Sequence, residues 1–275
     1  MPRRPLAGGG VVSIPYIGIT GIVTAGDLAT VRECCALMPP SHRLMAGVLV
    51  SAKTLRGEAA ASRRYPAAAQ VEAILSSCSR HGAWPAVHYN TRATESVLAL
   101  ELALLSRMFP SMRGLQLNVV RPDPDAVAYF AKTRPAVEVI VQINRGAFGE
   151  APVPVDAVRY AQQYDGVRHA LLDLSGGGGS AVDVTFAARV ARGWRVFSVA
   201  PRLGVAGGFG PDSREVLASL REEIGAEPFA GLSFDAESRL RVPVADPAPG
   251  EKHQDALCHE KALAWAGLAA SMVPA

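Results

Sequence analysis

The sequence predicts a parallel, eight-stranded α/β fold, a (β/α)8 barrel of the TIM type. Three observations carry this expectation. The length of 275 residues suits one such domain, which runs to about 250 residues. Short Val/Ile/Leu-rich runs recur along the chain, nearly continuous in apolar character, as strands buried on both faces are. Each run is followed by a longer stretch of helical periodicity, and strict β–α alternation points to a parallel sheet with right-handed crossovers. Eight such units point to closure into a barrel; an open doubly wound sheet is the competing arrangement.

Strands are expected at 11–19, 44–51, 86–89, 114–119, 137–143, 169–174, 204–206 and 229–233. Helices are expected at 27–37, 67–81, 94–108, 124–132, 155–164, 184–192, 212–224 and 253–272. Thr24 precedes the first helix, Gly82 follows the second and Pro110 stops the third, the punctuation that caps and breakers supply. No linker or shift in composition divides the chain. Residues 1–275 therefore read as one barrel domain with a short N-terminal tail and a C-terminal helix. That last helix carries apolar residues on most faces, so a homodimer contact is the alternative to plain packing on the barrel.

Hydrophobic residues make up 49% and charged residues 19% of the chain, enough for a sizeable core and too apolar for disorder. A net charge of +3 tolerates an anionic partner without the charge density of a protein that coats polyanions. Cys34, Cys35, Cys78 and Cys258 form no C-x-x-C pair, which reads as reduced thiols and a cytoplasmic home. The opening residues have no apolar signal region, and no apolar run reaches the ~18–20 residues of a membrane span.

In such barrels chemistry sits on the loops that follow the strands' C-terminal ends. The sequence places Lys53 and Arg56 after strand 2, and His88 and Asn90 at the end of strand 3. Gln116 and Asn118 come with strand 4, Gln142 and Asn144 with strand 5, Asp173 with strand 6 and Asp235 with strand 8. Amides, bases and carboxylates in one mouth fit a polar, hydroxylated or anionic substrate. Asp173 follows two leucines, so desolvation is expected to raise its pKa toward that of a general acid. Gly207 and Gly208 after strand 7, with Gly177 and Gly178 in the loop after strand 6, are candidate phosphate-binding backbone. No His/Cys/Asp group shows metal-ligand spacing, and no Walker loop, dinucleotide fingerprint or nucleophile elbow occurs. No metal and no cofactor are therefore expected.

Ile17-Gly18-Ile19-Thr20, Lys53-Thr54-Leu55-Arg56, Gly114 to Asn118, Leu171-Leu172-Asp173, Ala206 to Pro211 and Ser233 to Glu237 together, in order, resemble the phosphoribosylanthranilate isomerase family. The resemblance runs over almost the whole barrel. It implies that Asp173 matches the family's acid, Arg56 its anthranilate-binding arginine and Gly207-Gly208 half of its phosphate site. The departures are as informative. Ile17 stands where the family has its catalytic cysteine, Asp235 replaces the glycine after strand 8, and Asn118 replaces the strand-4 histidine.

An acid kept, a base lost and a carboxylate gained fit cleavage of an N-glycosidic bond in a nucleoside-type substrate by two carboxylates, Asp173 and Asp235. Arg56, Arg63, Arg64, Arg92 and Arg121 on mouth-side loops extend the expected partner to a nucleotide or nucleic acid, whose base would have to leave the stack. The alternatives are the isomerase reaction itself, with Ser13, His88 or Asp235 as base, and a non-catalytic nucleotide-binding barrel.

Overall fold

A computed structural model describes residues 13–58, 62–93, 95–147, 153–175, 180–244 and 255–274. Eight strands close in sequence order into an all-parallel barrel: β1 (Tyr16–Thr20), β2 (Arg43–Ser51), β3 (Trp84–Asn90), β4 (Gly114–Asn118), β5 (Glu138–Ile143), β6 (His169–Asp173), β7 (Arg202–Ala206) and β8 (Ser233–Ala236). β8 pairs with β1 through Gly18 opposite Asp235. The helices that follow are α1 (Asp27–Ala36), α2 (Ala52–Leu55), α3 (Ala68–Arg80), α4 (Glu95–Met108), α5 (Pro124–Thr133), α6 (Pro154–Ala161), α7 (Val184–Val196), α8 (Arg214–Ile224), α9 (Ala226–Ala230) and α10 (His259–Met272). The closed barrel thus displaces the open sheet as the arrangement.

Two-residue alternation decides what each strand buries. One set of side chains, including Ile17, Ile19, Val48, Val87, Leu115, Val141, Leu172 and Phe234, packs outward in one cluster with Val31, Leu75, Leu102, Val127, Val158, Leu217 and Trp265 of the helices. The other set points inward, where Tyr16, Met45, Trp84, Ala86, Ile140 and Leu171 form a second apolar cluster. Helix starts follow local chemistry. Asp123 accepts from the N–H groups of Asp125 and Ala126 ahead of Pro124, and Asp183 accepts from Phe186 N–H, satisfying donors a helix leaves free.

Four expectations need correction. The first strand begins at Tyr16, after Pro15, rather than at 11; residues 1–12 lie outside the described residues. Residues 226–230 form α9, with Phe229 fully buried, so the last strand is Ser233–Ala236 and carries Asp235 within it. Residues Asp255–Leu257 are a strand, β10, paired antiparallel with β9 (Arg241–Pro243), and the last helix starts only at His259. Finally, α10 spends its apolar residues on the barrel: Ala262, Trp265, Ala266, Leu268 and Ala269 are buried, and Trp265 Nε1 donates to Gly18 O at 3.1 Å. Exposed large apolar side chains sit instead on α4 (Val97, Leu100, Leu104) and on α5 (Tyr129). Among the described residues no helix is long and apolar enough to cross a membrane.

Candidate active site at the carboxyl ends of the strands

Inward-facing positions at the carboxyl ends of the strands carry polar side chains in pairs two residues apart. His88 and Asn90 come from β3, Gln116 and Asn118 from β4, and Asp235 with Glu237 from β8; Asp173 and Ser175 end β6, while Gln142 comes from β5. All of these line one pocket together with Gly207, Gly208 and Arg239. Its free space is about 60 Å³, room for one or two waters or one small substituent of a ligand.

The two carboxylates sit in different surroundings. Asp173 accepts from Gln142 Nε2 at 2.7 Å, from Ser175 N–H at 3.0 Å and from the Ser175 hydroxyl at 2.6 Å. These are three bonds that a carboxylate anion takes as acceptor. Asp235 is 7% exposed and accepts from the Thr20 hydroxyl at 3.0 Å. Burial pushes its pKa up to about 8; the Thr20 bond opposes the rise, and the nearby Glu237 and Asp173 charges add to it. This shift favours the protonated form of Asp235 near neutral pH.

Behind Asp235 lies a short relay. Thr20 Oγ1 stands 3.4 Å from His88 Nε2. Since the Thr20 hydroxyl donates to Asp235, the contact requires His88 to donate from Nε2. Burial lowers His88 to about 3, so the imidazole is neutral. Two glycines leave space for this group. A Cβ on Gly47 would stand 2.6 Å from Thr20 Oγ1 and 2.9 Å from His88 Nε2, and one on Gly18 would collide with the Asp235 carboxylate.

Gly18 also corrects the comparison drawn for strand 1. Ile17 does not face the site. It is fully buried in the outer layer between strands and helices, because its neighbours Tyr16 and Gly18 take the inward positions and alternation sends Ile17 the other way. A base at position 17 would not reach the mouth. The inward space at Gly18 is taken by Asp235.

The remaining candidates fall into three groups. Asn90 and Asn118 stand at the rim, exposed, and line the pocket. Lys53 and Arg56 are exposed at α2 outside the pocket lining, and Arg56 is paired with Glu58 at 2.5 Å. Asn144 likewise lies off the lining, its Oδ1 buried and without a hydrogen-bond partner. Gly207 and Gly208 form the wall after β7, both at positive φ (117° and 61°), a backbone that favours glycine. They do not open a helix directly: α8 starts at Arg214, Gly210 N–H donates to Ser213 Oγ at 2.9 Å, and Arg239, ion-paired with Asp212, donates to Gly208 O at 3.2 Å. Gly177 and Gly178 lie outside the described residues.

The arginines expected to meet a polyanion are differently employed. Arg64 is 9% exposed, held by Asp255 at 2.5 Å and Glu237 at 2.9 Å, and Arg241 closes the same network on Asp255 at 2.6 Å. Thr20, Ser175 and Glu237, which the sequence places at the ends of strands 1, 6 and 8, join the site, and Arg239 joins it without having been singled out from the sequence. The signal for Arg239 was its position two residues after Glu237. Among the described residues, Gln116 Oε1 and Gln142 Oε1 are buried acceptors with no partner. They are open to a ligand that donates hydrogen bonds. No group of three or more His, Cys, Asp or Glu that could hold a metal occurs among the described residues.

No protein-family model matches the chain, and no curated protein matches it significantly. Solved structures do share its fold. A Rubisco-like protein from Rhodopseudomonas palustris aligns with a TM-score of 0.55 at 10% identity, over 95% of this chain and 64% of its own. Triosephosphate isomerase from Bartonella henselae aligns with 0.53 at 8% identity, over 92% and 98%. The 3-keto-L-gulonate-6-phosphate decarboxylase from Vibrio cholerae aligns with 0.51 at 12% identity, over 95% and 100%. The chain therefore has the TIM-barrel fold, and at these identities the likeness speaks to fold alone.

Proposed function

We propose that this barrel is an enzyme that cleaves the N-glycosidic bond of an uncharged nucleoside-type substrate, with Asp235 as general acid and Asp173 as its partner carboxyl. The observation that supports it most is the pair itself: a buried carboxyl raised to about 8 and a second carboxylate held by three donors, lining one pocket. Environments that push two carboxyl groups apart separate an acid from a base.

The steps follow. Asp235 gives its proton to the leaving nitrogen as the C1–N bond breaks, and the bond's electron pair leaves with the base. Asp173 faces the oxocarbenium-like centre and takes a proton from the water that adds to C1. The open oxygens of Gln116 and Gln142 receive sugar hydroxyls. A neutral substrate fits better than a nucleotide, because Asp173, Asp235 and Glu237 line the pocket and Arg239 is already paired. For the same reason, and because Arg64 is buried in its own network, a free nucleoside fits better than nucleic acid.

The test is incubation with a panel of ribo- and deoxyribonucleosides, with chromatography for free base and reducing sugar. Base release that Asp235→Asn removes supports the reading; absence of base release across the panel, with folded protein, overturns it. A second reading is aldose–ketose isomerisation with Asp235 as base, favoured by the same raised carboxyl. The alkaline limb separates the two. An acid loses activity as pH rises through about 8, whereas a base gains it over the same interval.

A further inference from the structure

A cavity separate from the mouth lies on the opposite face of the barrel. It lies where the turns before β6, β7 and β8 meet the end of α7, and holds about 650 Å³, within the size range of small-molecule sites. Its wall is mixed in a specific way. Trp194, Pro201 and Leu232 supply apolar surface, and Arg168, Arg195 and Arg202 supply three guanidinium groups against one carboxylate, Glu227. The local formal charge is thus 3 − 1 = +2.

The apolar side is held in place: Trp194 Nε1 donates to Pro201 O at 2.7 Å. The cationic side is only partly used. Arg195 and Glu227 approach no closer than 3.4 Å, with both side chains mostly exposed, and such a pair contributes little. Arg202 lines the cavity and is anchored by its Nε on Ser13 O. Beside the cavity, Val196 and Phe197 are 77% and 52% exposed, and Ser198 takes a left-handed φ of 47°. A non-glycine residue in that region is held there by its surroundings.

We propose that this cavity binds a small organic anion, a carboxylate or phosphate joined to an aromatic or aliphatic body. The body packs along Trp194, Pro201 and Leu232 while the anionic group meets Arg168, Arg195 and Arg202. The site is separate from the mouth and does not depend on which reaction occurs there.

The experiment is calorimetric titration of the full chain with 1-naphthoate, 1-naphthyl phosphate and uncharged 1-naphthamide. The expected result is one saturable site for at least one of the two anions and at least tenfold weaker binding of the amide. Arg168→Glu/Arg195→Glu, both surface positions, should weaken the anion at least tenfold with an unchanged thermal midpoint; Arg168→Gln/Arg195→Gln serves if the double reversal fails to fold. No saturable site for either anion, equal binding of the amide, or unchanged affinity in the folded variant overturns the proposal.

Discussion

The two ends of the barrel lumen use the same kinds of side chain to opposite effect. At the amino end, Glu138 binds Arg43 through two bonds of 2.7 Å, His169 at 2.9 Å and Ser13 at 2.9 Å, and Arg43 lies 3.6 Å over the Trp84 ring. Burial would raise Glu138, but the bonds from His169 and Arg43 outweigh it and hold it well below the usual carboxylate range. At the carboxyl end, Asp235 has the Thr20 hydroxyl and the charges of two other carboxylates around it. The paired end is a plug. The other end holds a buried carboxyl raised by its surroundings, the kind of perturbed titration that clusters at functional sites. Ser13, His169 and Glu138 look like a nucleophilic relay at first sight. Both Ser13 and Glu138 approach the same nitrogen, His169 Nε2, so the carboxylate cannot orient the imidazole toward the serine, and the cluster is structural.

Variants can break this contrast. The largest effect is expected for Asp235→Asn, which should lower turnover about 10³-fold. The same variant tests the titration through stability. A carboxyl raised in the folded state contributes stability that is complete below the unfolded pKa and is lost as pH rises through the folded value. Wild type should therefore lose about 5 kcal/mol relative to Asp235→Asn between about pH 4 and pH 8 in urea melts. A difference that stays flat with pH would remove the raised carboxyl.

Next is Glu138→Gln. It leaves Arg43 half-buried without its anion and should cost about 3 kcal/mol, while kcat of the folded protein stays within twofold. Glu138 titrates low in the fold, so wild type should lose this advantage as pH falls below the ordinary glutamate value, and acid melts of the two proteins should converge. A smaller effect is expected for Gly47→Ala. Its Cβ meets Thr20 and His88 at 2.6 and 2.9 Å, which should displace the relay, cost about 1–3 kcal/mol and reduce turnover by tenfold or more. The smallest effect belongs to Arg56→Ala: exposed and paired with Glu58, it should change kcat/KM by less than twofold. A tenfold loss there would show that α2 closes over the substrate.

Much of the fold was legible in the chain because parallel strands buried on both faces must be apolar along their length. Six of the strand positions followed from that pattern with small shifts at the ends, and the first was placed with its start five residues too early. The eighth did not, because 229–233 is as apolar as a strand and Phe229 is buried in either arrangement; the pattern cannot separate a short buried helix from a strand. Of the site, the carboxylates, His88 and the amides at strand ends were legible from position alone. Thr20 and Glu237 were legible as mouth residues too, but their relation to Asp235 was not, since only the register across β1 and β8 and the path of the chain after β8 set them beside it.

By itself the sequence determined the number of strands, their parallel order and which end of the barrel would be polar, because alternation and burial are local properties of each segment. The tertiary structure alone decided that Ile17 faces the helices, that Arg64 is buried among carboxylates and that burial raises the pKa of Asp235. Those outcomes depend on which residues from distant strands stand side by side and how much water remains between them, and neither is written in any single stretch of chain.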